Sequence, residues 1–571
     1  MENIKNTVAA AIAASAAAAF PDAAPDAGET ASLLEYPPDD SLGDIALPCF
    51  KLSKKLRKPP AVIASAIAGG ISSPEISSVE AVNGYLNIRI KDSVFAACVG
   101  DALEKGDDYG KNESGKGRTL VIDYSSPNVA KPFHIGHLGS TVIGHSIKML
   151  HAYSGWKCVG VNHLGDWGTQ FGKMITAYRL WGNPETIERE GIDGLVSLYV
   201  RFHKEAEADP ALNDRAREEF TKLEHGDAEN TALWKKFLEI SIAEFKKTYA
   251  QLGIEFDYYT GESFYTDLMP KQVSLLREKG LLKTDDGASI VDLSEYGMPP
   301  CLILKRDGST LYPTRDIAAA VYRKETFDFD KCVYVTSNQQ ILHFRQWFKV
   351  MELMGYSWAD ELVHVPYGTL SVNGEKLSTR SGNVILLRDL FGVAVEKVGE
   401  IIEKKNPDLE NRDEVATAVG VGAVVFYYLT NSRIKDSDFS LEDALSFEGN
   451  TGPYVQYTYA RCCSVVEKAG GVPPDENGAG YDVLPVERKL CKTLSLFGEK
   501  VLEALASYEP MVIARYLLDV AGDFNRFYHE CRIATEPEPA ARDFRVRLTG
   551  ATKVVLGNAM GLICIKKTPR I

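Results

Sequence analysis

A chain of 571 residues is too long for one hydrophobic core and implies three or four domains. With 45% hydrophobic and 25% charged residues it has the composition of a soluble globular protein, and a net charge of −14 excludes bulk attraction for nucleic acid, so any RNA contact rests on local basic patches. Ten cysteines without a CxxC pair exclude a zinc framework or disulfide scaffold and point to reduced thiols in a cytoplasmic protein, and the longest apolar runs, such as 419–429, are too short to span a membrane.

Residues 1–110 read as a small α/β domain. The Ala-rich stretch from Lys5 to Phe20 loosely resembles an export signal, but Ala and Ser in place of Leu, Ile and Val make it weakly hydrophobic, and a plain helix is expected. An acidic, Pro-containing segment (Pro21–Asp44) precedes the basic run Lys51, Lys54, Lys55, Arg57 and Lys58, which reads as readily as a solvated helix face as a binding surface. A short helix is predicted from Ala61. Tyr85–Lys91 alternates after Asn83-Gly84, as a strand leaving a tight turn does. Beyond the linker 111–117, Leu120–Tyr124 reads as a buried strand, a helix starts near His137, and Cys158–Asn162 is a second strand leading into a Gly-rich turn. Strand, loop and helix in that order open a doubly wound nucleotide-binding fold.

Residues from about 176 to 251 turn helical and charged, with Leu195, Leu198, Tyr199 and Phe202, then Trp234, Phe237, Leu238, Ile242 and Phe245, at helical spacing; they read as an insertion between two halves of the sheet. The second half runs from Ile254 to about Val365 and includes the strand Lys331–Thr336. A short β/α region with a loop over 373–383 follows. Beyond about Asp436 a helical bundle is expected, in which Ile513, Leu517, Val520, Phe524, Phe527 and Cys531 form one apolar stripe.

Two segments carry chemistry. The first, Ser125-Ser126-Pro127-Asn128-Val129-Ala130-Lys131-Pro132-Phe133-His134-Ile135-Gly136-His137, joins a strand to a helix. Gly136 permits close backbone approach, two histidines three apart sit at a helix N-terminus that favours anions, and Lys131 adds a cation; the Walker lysine loop is absent. The second, Gly374-Glu375-Lys376-Leu377-Ser378-Thr379-Arg380-Ser381-Gly382-Asn383, is a glycine-bounded loop whose Lys376 and Arg380 suit a leaving pyrophosphate, although alone it is an ordinary basic loop.

Together and in this order, the two segments resemble the HIGH and KMSKS elements of class I aminoacyl-tRNA synthetases. SSPNVAKPFHIGHL, NHLGDWGTQFG, YPTRDIAAA, KLSTRSGN and FEGNTGPYVQYTYAR narrow the resemblance to the arginyl-tRNA synthetase family over nearly the whole chain. The loop reads Lys-Leu-Ser-Thr-Arg, without the second KMSKS lysine, and the resemblance implies that Lys131 supplies that charge. It implies an α/β fold: an N-terminal tRNA-elbow-binding α/β domain (1–110), a Rossmann-type parallel-sheet catalytic domain (111–365) with its helical insertion, a KMSKS-loop stem-contact region (366–435), and an all-helical anticodon-binding bundle (436–571).

Catalytic roles for His134, His137, Lys131, Lys376 and Arg380 follow from the resemblance, with ATP contacts at Gly136, Gly165, Asp166, Gly168, Gln170 and Ser378. Arginine would meet Asn128, Glu262, Tyr312, Asp316 and Gln340. Carboxylates are natural acceptors for a guanidinium, but which of Glu262 and Asp316 takes it stays open. Asp316 also reads as a helix cap, Tyr312 as a packed strand residue, and Asp166 as a turn stabiliser. No resident metal site is expected. The implied substrates are ATP with Mg²⁺, L-arginine and tRNA(Arg), with tRNA required for arginine activation, and a monomer is implied. The last 31 residues (541–571) carry seven Lys/Arg against one Asp, a local basic patch. A class I synthetase for another amino acid, and a non-catalytic tRNA-binding relative, are the competing readings: the first wants basic residues or zinc ligands in the pocket, the second has no use for the phosphate machinery.

Overall fold

The computed structural model describes residues 4–372, 375–376, 385–474 and 481–571. The chain forms two compact units, one of residues 1–110, 462–499 and 519–555, the other of 111–461, 500–518 and 556–571. In the first, the Ala-rich segment is a plain helix, α1 (Ile4–Ala19), that buries Val8, Ile12 and Ala16. Strands β1 (Ile45–Pro48), β2 (Ile76–Val82) and β3 (Tyr85–Ile90) make an antiparallel sheet in the order β1-β3-β2. Asn83 and Gly84 turn β2 into β3 with φ of +51° and +82°, the left-handed pair that a tight hairpin needs. Lys51 and Lys55 of the basic run pair with Glu35 and Glu29 as solvated ion pairs.

In the second unit, β4 (Thr119–Asp123), β5 (Lys157–Asn162), β6 (Tyr258–Tyr259), β10 (Lys331–Ser337) and β11 (Leu362–Tyr367) form a parallel sheet in the order β11-β10-β4-β5-β6. Burial on both faces explains the unbroken apolar runs such as Leu120-Val121-Ile122. Successive crossovers leave β4 in opposite directions, so a crevice opens at the carboxyl ends of β4 and β10, where such sheets bind ligands. Helix α2 (Leu138–Tyr153) returns β4 to β5. Five helices then occupy residues 169–252; the first is α3 (Thr169–Trp181) and the last α4 (Ala228–Leu252).

A three-stranded antiparallel sheet of β7 (Leu282–Asp285), β8 (Ala288–Val291) and β9 (Cys301–Leu304) was not expected from the sequence. Its signal was present: Asp286-Gly287, with φ of +45° and +78°, is a hairpin turn pair. Helices α5 (Tyr312–Phe327) and α6 (Ile341–Leu353) flank β10, and Phe344, Trp347, Val350 and Met351 of α6 join the core beneath it. Strand β12 (Leu370–Val372) pairs with β13 (Glu375–Lys376) and with β14 (Ser437–Phe439). Helices follow β14, and the six residues of the apolar stripe, five on helix Met511–Glu530 and Cys531 just beyond its end, are all buried. Among the described residues no helix is long and apolar enough to cross a membrane.

Candidate active site

The turn leaving β4 is held in an unfavourable shape. Ser125, Ser126 and Ala130 have φ of +70°, +49° and +58°, left-handed values that cost non-glycine residues of order 1 kcal/mol each. Hydrogen bonds from distant elements over-determine it. Ser125 N donates to Ser140 Oγ at 2.9 Å, and Ser125 Oγ lies 2.8 Å from both Thr141 Oγ1 and Tyr249 OH. Ser126 N donates to Asn162 Oδ1 (3.2 Å), Ser126 Oγ to Asp123 Oδ1 (2.9 Å), and Ala130 N to Ser241 Oγ (3.0 Å). Tyr249 and Ser241 come from α4, so the helical insertion buttresses this turn. Arg323 of α5 anchors Asp123 from the other side at 2.7 Å, a fully buried pair.

The turn ends at the two histidines. Gly136 N donates to His134 Nδ1, and His134 N to His137 Nδ1, both at 3.1 Å. An Nδ1 that accepts carries no proton, so each neutral ring holds its hydrogen on Nε2. Burial first, then Lys131, pushes His134 down to about 4; burial, then His134, pushes His137 to about 3. Both are uncharged donors at neutral pH. Burial also lowers Lys131, and Lys173 on α3 pushes it the same way. Lys173 is a cation the sequence reading did not select; its place one turn into the helix after Gly168 was the available signal.

Lys376 ends β13, whose backbone pairs with Ser371 of β12. Ser378 and Arg380 lie outside the described residues. Where the chain resumes, it runs along the histidine segment: Ile135 N donates to Ile385 O and Leu387 N to Phe133 O, both at 3.0 Å.

The turn after β5 lies against the same segment. Gly165 N donates to Pro127 O and Val129 N to Gly165 O, both at 3.1 Å. A Cβ on Gly165 would stand 2.2 Å from Asn128 Oδ1, so glycine here leaves the Asn128 side chain where it is. Gly168, with φ of +128°, precedes α3, and Gln170 Nε2 donates back to Gly165 O at 3.3 Å. Asp166 is buried, its carboxyl raised by burial against the pull of Ser263. Its two oxygens accept from Ser263 N (2.8 Å) and Ser263 Oγ (2.7 Å), while Glu262 N donates to Leu164 O at 3.0 Å. Asp166 therefore fixes the backbone that presents Glu262.

Glu262 pairs with Arg315 at 2.9 Å, the two side chains 15% and 12% exposed. Burial still raises Glu262 to about 7; Arg315 opposes the rise, and Asp166 and Asp316 add to it. Helix α5 begins at Tyr312, with Leu311 as its cap residue, so Asp316 lies in the second turn and is no cap. Asp316 instead meets His343 of α6 (Oδ2 to Nε2, 2.6 Å). Tyr312 starts a helix and is 65% exposed, which removes the strand-packing reading. Arg315 lies 5.7 Å from its ring. Gln340, exposed, ends the short turn from β10 into α6. Asn128, Asp166, Glu262, Tyr312 and Asp316 thus form one linked group around the β4 and β10 ends. Arg315 and His343, which sequence reasoning passed over, sit within it; each stands three residues from a selected position on a helix.

Uncharged N–H donors with a lysine on one side and clustered carboxylates on the other suit a ligand pair: a polyphosphate, and a small molecule bearing a cation. Comparisons with known proteins agree. Residues 98–441 match the family described as tRNA synthetases class I (R), catalytic domain; residues 455–571 match the DALR anticodon binding domain, and 2–90 the arginyl tRNA synthetase N terminal domain. The chain is 49% identical to an arginine–tRNA ligase of Alkaliphilus metalliredigens over 540 residues, covering 94% of this chain and 95% of that one. It is also 49% identical to an arginine–tRNA ligase of Clostridioides difficile over 539 residues, with the same coverages. Among solved structures it resembles the arginyl-tRNA synthetase of Thermus thermophilus, with a TM-score of 0.85 and 25% identity over the full length of both chains.

Proposed function

The chain belongs to the arginyl-tRNA synthetase family, the class I arginine–tRNA ligases, and from that premise we propose how its site divides the work. The activity is that of an aminoacyl-tRNA ligase for arginine, with ATP as the activating substrate. Two observations support the division: the pair of uncharged histidines, each with its proton on Nε2, and the carboxylates Glu262 and Asp316, paired with Arg315 and His343.

The arginine carboxylate attacks the α-phosphate of ATP in line, and pyrophosphate leaves. No covalent enzyme intermediate is required; positioning and charge stabilisation supply the rate. His134 and His137 donate hydrogen bonds to phosphate oxygens without adding charge, and Lys131, with Lys376, Ser378 and Arg380 of the loop, follows the negative charge onto pyrophosphate. Mg²⁺ enters with ATP as part of that substrate. Gly136, Gly165, Gly168 and Gln170 bring backbone and amide groups against the nucleotide, and Asp166 serves it through the turn. Asn128, Tyr312 and Gln340 line the arginine side with the two acids.

The 2′-OH of the terminal adenosine of tRNA(Arg) then attacks the adenylate carbonyl, releasing AMP. The N-terminal domain touches the tRNA elbow, residues 366–435 the stem, and the helical region beyond 436 the anticodon. The working form is a cytoplasmic monomer. A site that pairs buried carboxylates with a guanidinium rejects neutral analogues without a separate editing domain.

Pyrophosphate exchange tests the whole reading. Exchange should require arginine and tRNA together. Exchange driven by another amino acid would assign a different pocket, and none under any condition would leave a tRNA-binding relative.

A further inference from the structure

We propose that Arg315 is the fixed counter-ion of the amino-acid pocket: its guanidinium holds Glu262 as a carboxylate, so an incoming guanidinium meets an acceptor already charged and aimed. The inference rests on the reading above that Glu262 and Asp316 line the arginine side, and assigns the substrate guanidinium to Glu262.

Three carboxylates converge here. Glu262 is faced by Asp316 and Arg315 from α5 and by Asp166 from the turn after β5. The remaining titratable neighbours are His163, beside Asp166, and His343, bonded to Asp316. Crowded, partly buried carboxylates share protons, and the one with the fewest hydrogen-bond donors is protonated first: Asp166 accepts from Ser263 N and Oγ, whereas Glu262 depends on Arg315. The guanidinium paired with Glu262 is that of Arg315, at 2.9 Å. It is no wandering surface cation. Its Cα sits at the start of a helix stiffened by Pro313, its side chain is 12% exposed, and its Nε is buried without a hydrogen-bond partner. Even with this partner, Glu262 is raised to about 7. Without it, burial and two neighbouring acids would leave Glu262 protonated at neutral pH, a neutral acid that binds a guanidinium poorly.

The opposite role, an internal guanidinium competing with the ligand, predicts the opposite sign. In pyrophosphate exchange with tRNA present, Arg315→Met should raise the arginine KM at pH 7 by on the order of tenfold, one pKa unit being a tenfold effect. That excess should shrink as pH rises, the variant approaching the wild type by about pH 9, while the ATP KM follows the wild type throughout. Arg315→Lys should restore most of the loss. A lower arginine KM in Arg315→Met would make the residue a competitor, and an increase equal at every pH would make it packing; either overturns the proposal. Should Arg315→Met not fold, the profile of Arg315→Gln is read by the same criteria. The wild type separates the two ideas. No arginine-dependent exchange there sinks the pocket itself, whereas normal exchange with a flat variant profile sinks only the counter-ion.

Discussion

The two sides of the crevice are prepared in different ways. On the side proposed for phosphate, three left-handed residues are locked by serine, threonine, tyrosine and asparagine groups, the backbone N–H groups of His134 and Gly136 set both histidines in one tautomer, and burial keeps them uncharged. The side proposed for the amino acid is built from charge: Glu262 and Asp316 are held by Arg315 and His343, and Asp166 fixes the backbone beneath Glu262. A triphosphate carries so much charge that neutral, rigid donors can position it while nearby lysines offset the charge. A guanidinium is a weaker, planar cation, and selecting it takes carboxylates that are ionised and correctly turned.

The contrast can be broken from either side. His137→Ala removes a preorganised donor and should lower the adenylation rate by about 10²–10³-fold. Its affinity for tRNA, measured by filter binding, should stay near wild type, since equal losses in both would make the residue structural. Glu262→Gln leaves the shape but removes the charge. Arginine KM should rise roughly 10–100-fold, the worth of a charged hydrogen bond, with a smaller change in ATP KM. Equal changes in the two constants would place Glu262 outside the pocket.

Changing pH sharpens the comparison without a mutation. On the proposed reading Glu262 binds arginine as a carboxylate, and burial pushes that carboxyl up to about 7. Arginine KM should therefore climb as pH falls through that value, tending toward about tenfold per unit. His134 and His137, pushed to about 4 and about 3, stay neutral over the same window, so ATP KM should hold steady. An ATP KM that moved in parallel would erase the distinction. The smallest effect is expected from Ser241→Ala, which strands the Ala130 N–H. It should lower stability by about 1 kcal/mol in denaturant unfolding and raise ATP KM a few-fold, leaving arginine KM unchanged.

Legibility followed distance along the chain. The turn at Asn83-Gly84, the buried strand after residue 118, the helix after His137 and the stripe from Ile513 to Cys531 all obey periods or pairings within a dozen residues, and all were readable. The β7–β9 sheet was also local; Asp286-Gly287 marked it, but its strands of four residues are too short for alternation to stand out.

What the amino-acid order determined alone was the doubly wound fold class and the family motifs, because those signals are short-range and additive. Only the tertiary structure decided what individual residues face. Asp166 reaches Ser263 across 97 positions, Ser125 reaches Tyr249 across 124, and Asp123 reaches Arg323 across 200. Arg315 looked like one more polar residue in a helix until folding set it against Glu262. Charge state depends on burial and on neighbours in space, and neither exists before the chain has closed on itself.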